Sequence, residues 1–298
     1  MITDRDIQVL SIIARYYVVS RIQVQRLCFP DDHTGRATRR RLQALVSEKI
    51  VNRTRTPLFS ADGGSPWPAY YPSRLGIELL AQHFGDERFL TIPTRCPEPL
   101  HLHHWLAVTE THIALDKAIA GQTRVRLEGW LNEWDTANPD AAKPEERYRL
   151  YTLLREKPRL ICAPDSAFLL AVGEHRKVFY LEQDRATTGV RQIVARKTPG
   201  YAEMAKRHLY LRHFADATVP NFTVLMVVPT AGRREALRKL FRGKPGAEHW
   251  KFAVVADLTP ERFLYESVLY PCEGQPVPLV KPDSAPPPAL PEPVAENT

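Results

Sequence analysis

The chain has 298 residues, 44% hydrophobic and 25% charged, with a formal net charge of +7 and a pI near 9.3, the balance of a soluble globular protein long enough for two domains. No apolar run reaches the roughly 18 residues a membrane span needs, and the opening MITDRD is not a secretory leader, so a cytoplasmic protein with no membrane partner is expected. Four dispersed cysteines, Cys28, Cys96, Cys162 and Cys272, exclude a disulfide framework and a zinc ribbon.

The chain opens with three helices. Thr3 caps one over residues 4 to 17, with Ile7, Leu10, Ile13 and Ala14 on one face. Ser20 caps a second over 21 to 27, which is expected to bury Ile22 and Val24 or Leu27. A third runs from about Thr34 to Lys49, with Ala37, Arg41 or Leu42, Leu45 and Val46 inward and Arg36, Arg39, Arg40 and Gln43 outward. Strand-like segments at 50–56 and 69–72 then bracket the turn Asp62-Gly63-Gly64.

Three short helices followed by a hairpin is the winged-helix arrangement, in which the third helix enters the major groove. Residues 1 to 56 hold 11 Lys and Arg against 5 Asp and Glu, a net +6, so the charge lies where this fold meets DNA. Arg36, Thr38, Arg39, Arg40 and Gln43 on the helix, with Arg53 and Arg55 on the wing, are the expected contacts to double-stranded DNA. The competing reading is a solvated basic helix in a protein-interaction module. Residues 73–84 form a closing helix of this domain, 1–85, and the proline-containing stretch 86–100 reads as a linker.

A helix over 101–120 carries His101, His103, His104 and His112, but no pair lies four apart and thiolate partners are lacking, so zinc is not expected. Residues 123–134 alternate as a strand, and the charged stretch 135–147 reads as a mobile loop. Next comes a hairpin of strands 166–172 and 178–184 around Gly173-Glu174-His175-Arg176. That four-residue turn pairs Val172 with Lys177 and sets Asp165 opposite Asp184, with Glu182 on the same face. Three converging carboxylates form a hard-oxygen site for Mg²⁺ or Mn²⁺; alternatively they leave the sheet into solvent and pair with Arg185, Arg191 and Lys197. No organic cofactor is expected. A helix from about Pro199 to Phe214, a buried strand after Pro220, a basic helix over 231–242 and a last strand from Trp250 to Val255 complete the domain 101–270. The last 28 residues hold nine prolines and a net charge of −3, and are expected to be disordered.

Helix, strand, strand, strand, helix, strand, with Pro164-Asp165 opening the second strand and Glu182 ending the third, resembles the PD-(D/E)XK nuclease core over about 130 residues. The resemblance implies that Asp165 and Glu182 bind metal. The lysine that follows the family's Glu by two residues is Asp184 here, which leaves Lys197 or Arg185 to supply that charge from a shifted position, Lys197 first. With the winged helix in front, Pro164-Asp165, Ala167-Phe168, Tyr180-Leu181-Glu182, Asp184-Arg185, Lys197 and Tyr201 resemble the replication-relaxation family of plasmids and integrative elements. That likeness covers most of residues 1–230.

The mixed α+β and α/β chain is therefore expected to be a sequence-specific DNA-binding accessory protein of replication or mobilisation with a degenerate nuclease-like domain. Two alternatives stand beside it. One is a metal-dependent endonuclease or nickase with Asp165, Glu182, Asp184 and Lys197 as its catalytic set. The other is a scaffold whose tail recruits replication or transfer proteins.

Overall fold

The computed structural model describes residues 2–57 and 68–281 of a mixed α+β chain. The chain divides into two compact units, Met1–Ala114 and Leu115–Thr298. The expected turn at Asp62-Gly63-Gly64 and residues 282–298 of the tail lie outside the described residues.

In the first unit, α1 (Asp4–Tyr16) starts where Thr3 donates its backbone N–H to Asp6 Oδ2 at 2.7 Å. A two-residue strand, β1 (Val19–Ser20), leads into α2 (Arg21–Cys28), whose cap is reciprocal. Ser20 Oγ accepts from the Gln23 N–H at 3.2 Å, and Gln23 Oε1 accepts from the Ser20 N–H at 2.8 Å. Helix α3 (Arg36–Ser47) and strands β2 (Val51–Arg55) and β3 (Pro68–Pro72) follow, and the sheet order is β1-β3-β2. Helix α4 (Arg74–Phe84) is capped by Ser73, whose Oγ accepts from the Gly76 N–H and donates to the Ile50 carbonyl. Val9, Leu10, Ile13, Val24, Leu42, Leu45, Tyr70 and Ile77 form the apolar core of the unit.

Two inward positions differ from expectation. Ile22 is 51% exposed, because the reciprocal cap fixes the start of α2 so that Val24 and Gln23 face the core instead. Ala37 is exposed and Thr38 is fully buried in its place. The choice between Arg41 and Leu42 falls both ways. Leu42 enters the core, while Arg41 forms a bidentate pair with Asp6, whose side chain is fully buried. Burial would raise the Asp6 carboxyl, but the hydrogen bonds from Arg41 and Thr3 outweigh it and hold the pKa below its usual value.

Residues 86–100, expected as a linker, hold some local structure. They contain a 3-10 turn, Glu87–Thr91, in which Phe89 stacks on Phe84 with centroids 5.5 Å apart, and Phe89 and Ile92 rest on the core. Helix α5 (Leu102–Ile119) contributes its residues up to Ala114 to this unit. Thr109 Oγ1 donates to the Val18 carbonyl at 3.0 Å, and Glu110 binds Arg26 at 2.7 Å.

The second unit is built on a six-stranded sheet. Its strands are β4 (Val125–Asn132), β7 (Ser166–Val172), β8 (His175–Gln183), β9 (Phe222–Val228), β10 (Trp250–Val254) and β11 (Tyr270–Pro271), in the order β11-β10-β9-β8-β7-β4. Between β4 and β7 lie a short α6 (Pro144–Arg147) and a small hairpin of β5 (Thr152–Arg155) and β6 (Leu160–Cys162). β4, β7 and β8 are antiparallel in turn, and β8, β9 and β10 are parallel, joined by α7 (Val190–Lys206) and α8 (Ala231–Phe241). The seven residues of β9 are all buried, as a central parallel strand requires.

Four expectations are corrected. The central hairpin turns in two residues, Gly173-Glu174, with Gly173 at φ +57 and Val172 paired with His175, so the register moves by two. Residues 135–147 are tied down, since Ala137 N–H donates to the Arg147 carbonyl at 2.8 Å and Thr136 bridges to Tyr148. Helix α7 begins nine residues before Pro199 and contains it, because Val194, Thr198 and Tyr201 already supply a buried helical face. The helix stops at Lys206 instead of Phe214, and His208 adopts φ +51. Finally, residues 271–281 are part of the fold. β11 pairs with β10, Leu269 bridges to Val277, and Cys272 and Val280 are buried at 4% and 6% exposure. Among the described residues no helix is long and apolar enough to cross a membrane.

Candidate functional site

Two groups of side chains stand out, one in each unit. In the first, Arg36, Arg39, Arg40 and Gln43 are exposed on α3, and Arg53 and Arg55 are exposed on alternate positions of β2. Arg53 and Arg55 lie two apart and so share one face of the strand, while Val51 at its start is buried in the core. Thr38 belongs elsewhere. Its N–H and its hydroxyl both donate to Asp32 Oδ2 at 2.8 Å, so it ties down the start of α3 and is turned away from a ligand. Those bonds, the Thr38 N–H first, hold the Asp32 carboxyl down at about 2.

The second group lies where β4, β7 and β8 end. Ser166 pairs with Asn132 on one side and Leu181 on the other, so the next row of the sheet is Glu133, Asp165 and Glu182. Asp165 thus faces Glu182 rather than Asp184. The main chain supports this row, as the Glu133 N–H donates to the Asp165 carbonyl at 3.0 Å and the Gln183 N–H to Asp165 Oδ2 at 2.6 Å. A carboxylate oxygen of Glu133 lies within 4.8 Å of one on Asp165.

Helix α7 lies over this row. Residues 194, 197, 198 and 201 share its inward face, so the apolar stripe that buries Val194 also delivers Lys197 and Tyr201 to the sheet. Lys197 Nζ sits 2.6 Å from Glu182 Oε2 and donates to the Ala163 carbonyl at 3.2 Å. The Tyr201 hydroxyl donates to Glu182 Oε1 at 2.6 Å. Glycine at position 200 lets the helix come this close, since a Cβ there would lie 2.5 Å from the Ile161 carbonyl oxygen.

Glu182 is 3% exposed, and burial pushes its carboxyl up to about 7, with Asp165 adding to the rise and Lys197 and Tyr201 opposing it. For Lys197, burial favours the neutral amine, but the Glu182 and Asp165 carboxylates outweigh it and hold the ammonium above its usual range. Burial, then Glu182, pushes the Tyr201 phenol well above its ordinary value, so Tyr201 is a donor and not a nucleophile.

Asp184 is not in the row. Arg233 of α8 grips it with Nε at 2.6 Å from Oδ2 and Nη2 at 3.1 Å from Oδ1, and the Ala186 N–H donates to Oδ1 at 2.9 Å. The set Asp165, Glu182 and Asp184 therefore does not converge as a three-carboxylate cation site. Both Glu182 oxygens have donors, and Asp184 has a guanidinium. The oxygens suited to a hard cation are those of Glu133 and Asp165, next to a lysine charge.

Sequence reasoning missed Glu133, Arg233 and the role of Tyr201. Pairing the strand 123–134 against Ser166–Val172 would have found Glu133. The Arg233–Asp184 pair joins elements 49 positions apart and leaves no local signal.

The chain matches the family described as replication-relaxation over residues 10–218. No curated protein and no solved structure matches it.

Proposed function

The chain belongs to the replication-relaxation family, and from that membership we propose that it is a sequence-specific duplex-DNA-binding accessory protein of plasmid or integrative-element replication or mobilisation. The observation that carries this reading is the exposed face of α3. Arg36, Arg39, Arg40 and Gln43 project from a helix that follows two others and precedes the β2–β3 pair, with Arg53 and Arg55 on the adjoining strand. This is the order of a winged helix, in which the third helix reads the major groove and the wing touches the backbone. Guanidinium groups suit both tasks, binding guanine and phosphate bidentately.

The second unit then acts as a degenerate nuclease-like domain. In support, the end of α5 precedes β4, β7, β8, α7 and β9 in the order the PD-(D/E)XK resemblance calls for, with α6, β5 and β6 inserted after β4, and Asp165 and Glu182 lie on neighbouring strands as that resemblance implies for its acids. With Glu182 held by Lys197 and Tyr201 and Asp184 held by Arg233, the polar row serves as a rigid joint between sheet and helices. The test is duplex binding by the full chain and by an Arg36→Ala, Arg39→Ala, Arg40→Ala variant. Loss of most of the affinity and a slope of log K against log salt shallower by about two to three units is expected. A folded triple variant with wild-type affinity and slope would rule the reading out.

One observation favours a Mg²⁺- or Mn²⁺-dependent nickase as the second reading. Lys197, although it lacks the expected spacing, brings its ammonium to Glu182, where it could orient a water or offset charge on a phosphorane. Glu133 and Asp165 would hold the cation. Incubating supercoiled plasmid with and without either metal separates the readings, because robust nicking abolished by both Asp165→Ala and Lys197→Ala favours the second.

A further inference from the structure

Arg21, the first residue of α2, and Arg39, on the second turn of α3, direct their guanidiniums to the same point above Gly35. A Cβ added to Gly35 would run into the Arg21 guanidinium and would lie 3.4 Å from that of Arg39. Gly35 has φ +66 and is buried, and the Gln25 amide oxygen also lies 2.7 Å from that point, so glycine suits the turn and lets these side chains close over it.

Neither arginine has a carboxylate partner among the described residues. Arg21 Nη1 donates to the Gln25 amide oxygen at 2.6 Å, and Arg39 Nη2 donates to the Thr34 carbonyl at 3.2 Å. The nearby acids are engaged elsewhere, Asp32 by Thr38 and Glu110 by Arg26. Two cations held together by neutral acceptors repel one another, and an anion placed between them removes that repulsion. Arg21 also lines a cleft of about 470 Å³ with Gln25, Arg26, Asp32, His33 and Thr34, which leaves room for a tetrahedral group beside its guanidinium. The basic surface is continuous with β2, since Arg53 pairs across from Tyr70, which pairs across from Val19 two residues before Arg21.

We propose that a backbone phosphate of the bound duplex is shared by the Arg21 and Arg39 guanidiniums on the solvent side of Gly35. The proposal rests on the duplex-binding reading above and adds to it a phosphate subsite that joins Arg21 of α2 to Arg39 on the exposed face of α3. A phosphodiester carries one negative charge and presents two free oxygens, which two guanidiniums can share. Such a contact fixes the register of α3 on the groove without reading a base.

The experiment is fluorescence anisotropy of the full chain with a labelled random-sequence duplex across a salt series, for the wild type, Arg21→Ala, Arg21→Lys and Arg40→Ala. Arg21→Ala should bind about tenfold more weakly, with a slope shallower by about one unit, while Arg21→Lys keeps the slope because it keeps the charge. A thermal melt of each variant identifies any loss due to unfolding, and Arg21→Lys carries the test if Arg21→Ala does not fold. The proposal is overturned if Arg21→Ala matches the wild type in affinity and slope while Arg40→Ala does not, or if Arg21→Lys is folded and loses the slope. A wild-type chain that binds no duplex overturns the duplex-binding reading itself, and this subsite with it.

Discussion

Lys197 of α7 and Glu182 at the end of β8 meet at 2.6 Å, and the lysine side chain keeps 29% of its exposure while that of the glutamate keeps 4%. This asymmetry makes the pair a hinge point for both stability and chemistry. The carboxylate cannot be solvated if the ammonium is removed, whereas part of the lysine side chain reaches the surface.

Lys197→Met should therefore destabilise the protein by about 2–3 kcal/mol, less than a fully buried pair because Lys197 is part-exposed. Glu182→Gln combined with Lys197→Met should recover at least half of that. Urea denaturation of the two single variants and the double one gives the coupling directly, and additive losses would show that the pair does not act as a unit.

Asp184 should contribute nothing to cation binding, since Arg233 neutralises it. In a calorimetric titration with Mn²⁺, Asp184→Asn should leave any affinity unchanged, while Glu133→Gln and Asp165→Asn should each abolish it. Binding that is lost in Asp184→Asn but survives in Glu133→Gln would return Asp184 to the site and remove Glu133.

His213 supplies a pH dependence whose sign is fixed by its surroundings. Its Nδ1 lies 2.7 Å from the Tyr180 hydroxyl and its Nε2 lies 3.2 Å from Thr152 Oγ1, and burial, then Arg149 and Arg212, push its pKa down to about 4. A depressed folded-state pKa means that its contribution is complete above the ordinary value near 6.5 and is lost as pH falls toward 4. The contribution is at most about 3 kcal/mol. His213→Gln should flatten the fall in melting temperature between these values, and an unchanged acid limb would refute the assignment.

Truncation should separate two parts of the C-terminal region that look alike in composition. A chain ending at Lys281 should keep its melting temperature. One ending at Tyr270 should lose about 3 kcal/mol or more, because it removes buried Cys272 and Val280 and the Pro271 carbonyl to which Arg238 Nε donates at 2.7 Å. Equal stability of the two truncated chains would contradict this.

Local signals in the sequence were enough to locate most elements. Ser20 and Ser73 cap helices because a hydroxyl before an amphipathic run has orphan N–H groups to satisfy, and both helices start there. The outward face of α3 followed from periodicity, the buried β9 from its continuous apolar run, and the strand 166–172 was legible to its ends. Local rules misled where tertiary packing overrode them. Pro199 reads as a helix start, yet sits inside α7 because Val194, Thr198 and Tyr201 bury a face on both sides of it. The proline count after Tyr270 reads as disorder, yet residues 271–281 have a strand partner and buried side chains.

The sequence by itself determined which residue types were available: arginines on an exposed helix face, acids at strand ends, and a lysine and a tyrosine one turn apart on the helix that follows. Those are properties of composition and period, carried by a few neighbouring residues. Only the tertiary structure decided which acids meet, because a hairpin register is set by how many residues the turn spends. Gly173-Glu174 spends two rather than four, and that difference places Asp165 opposite Glu182 and leaves Asp184 to an arginine 49 positions further on, while the separate pairing of β4 with β7 brings Glu133 into the row.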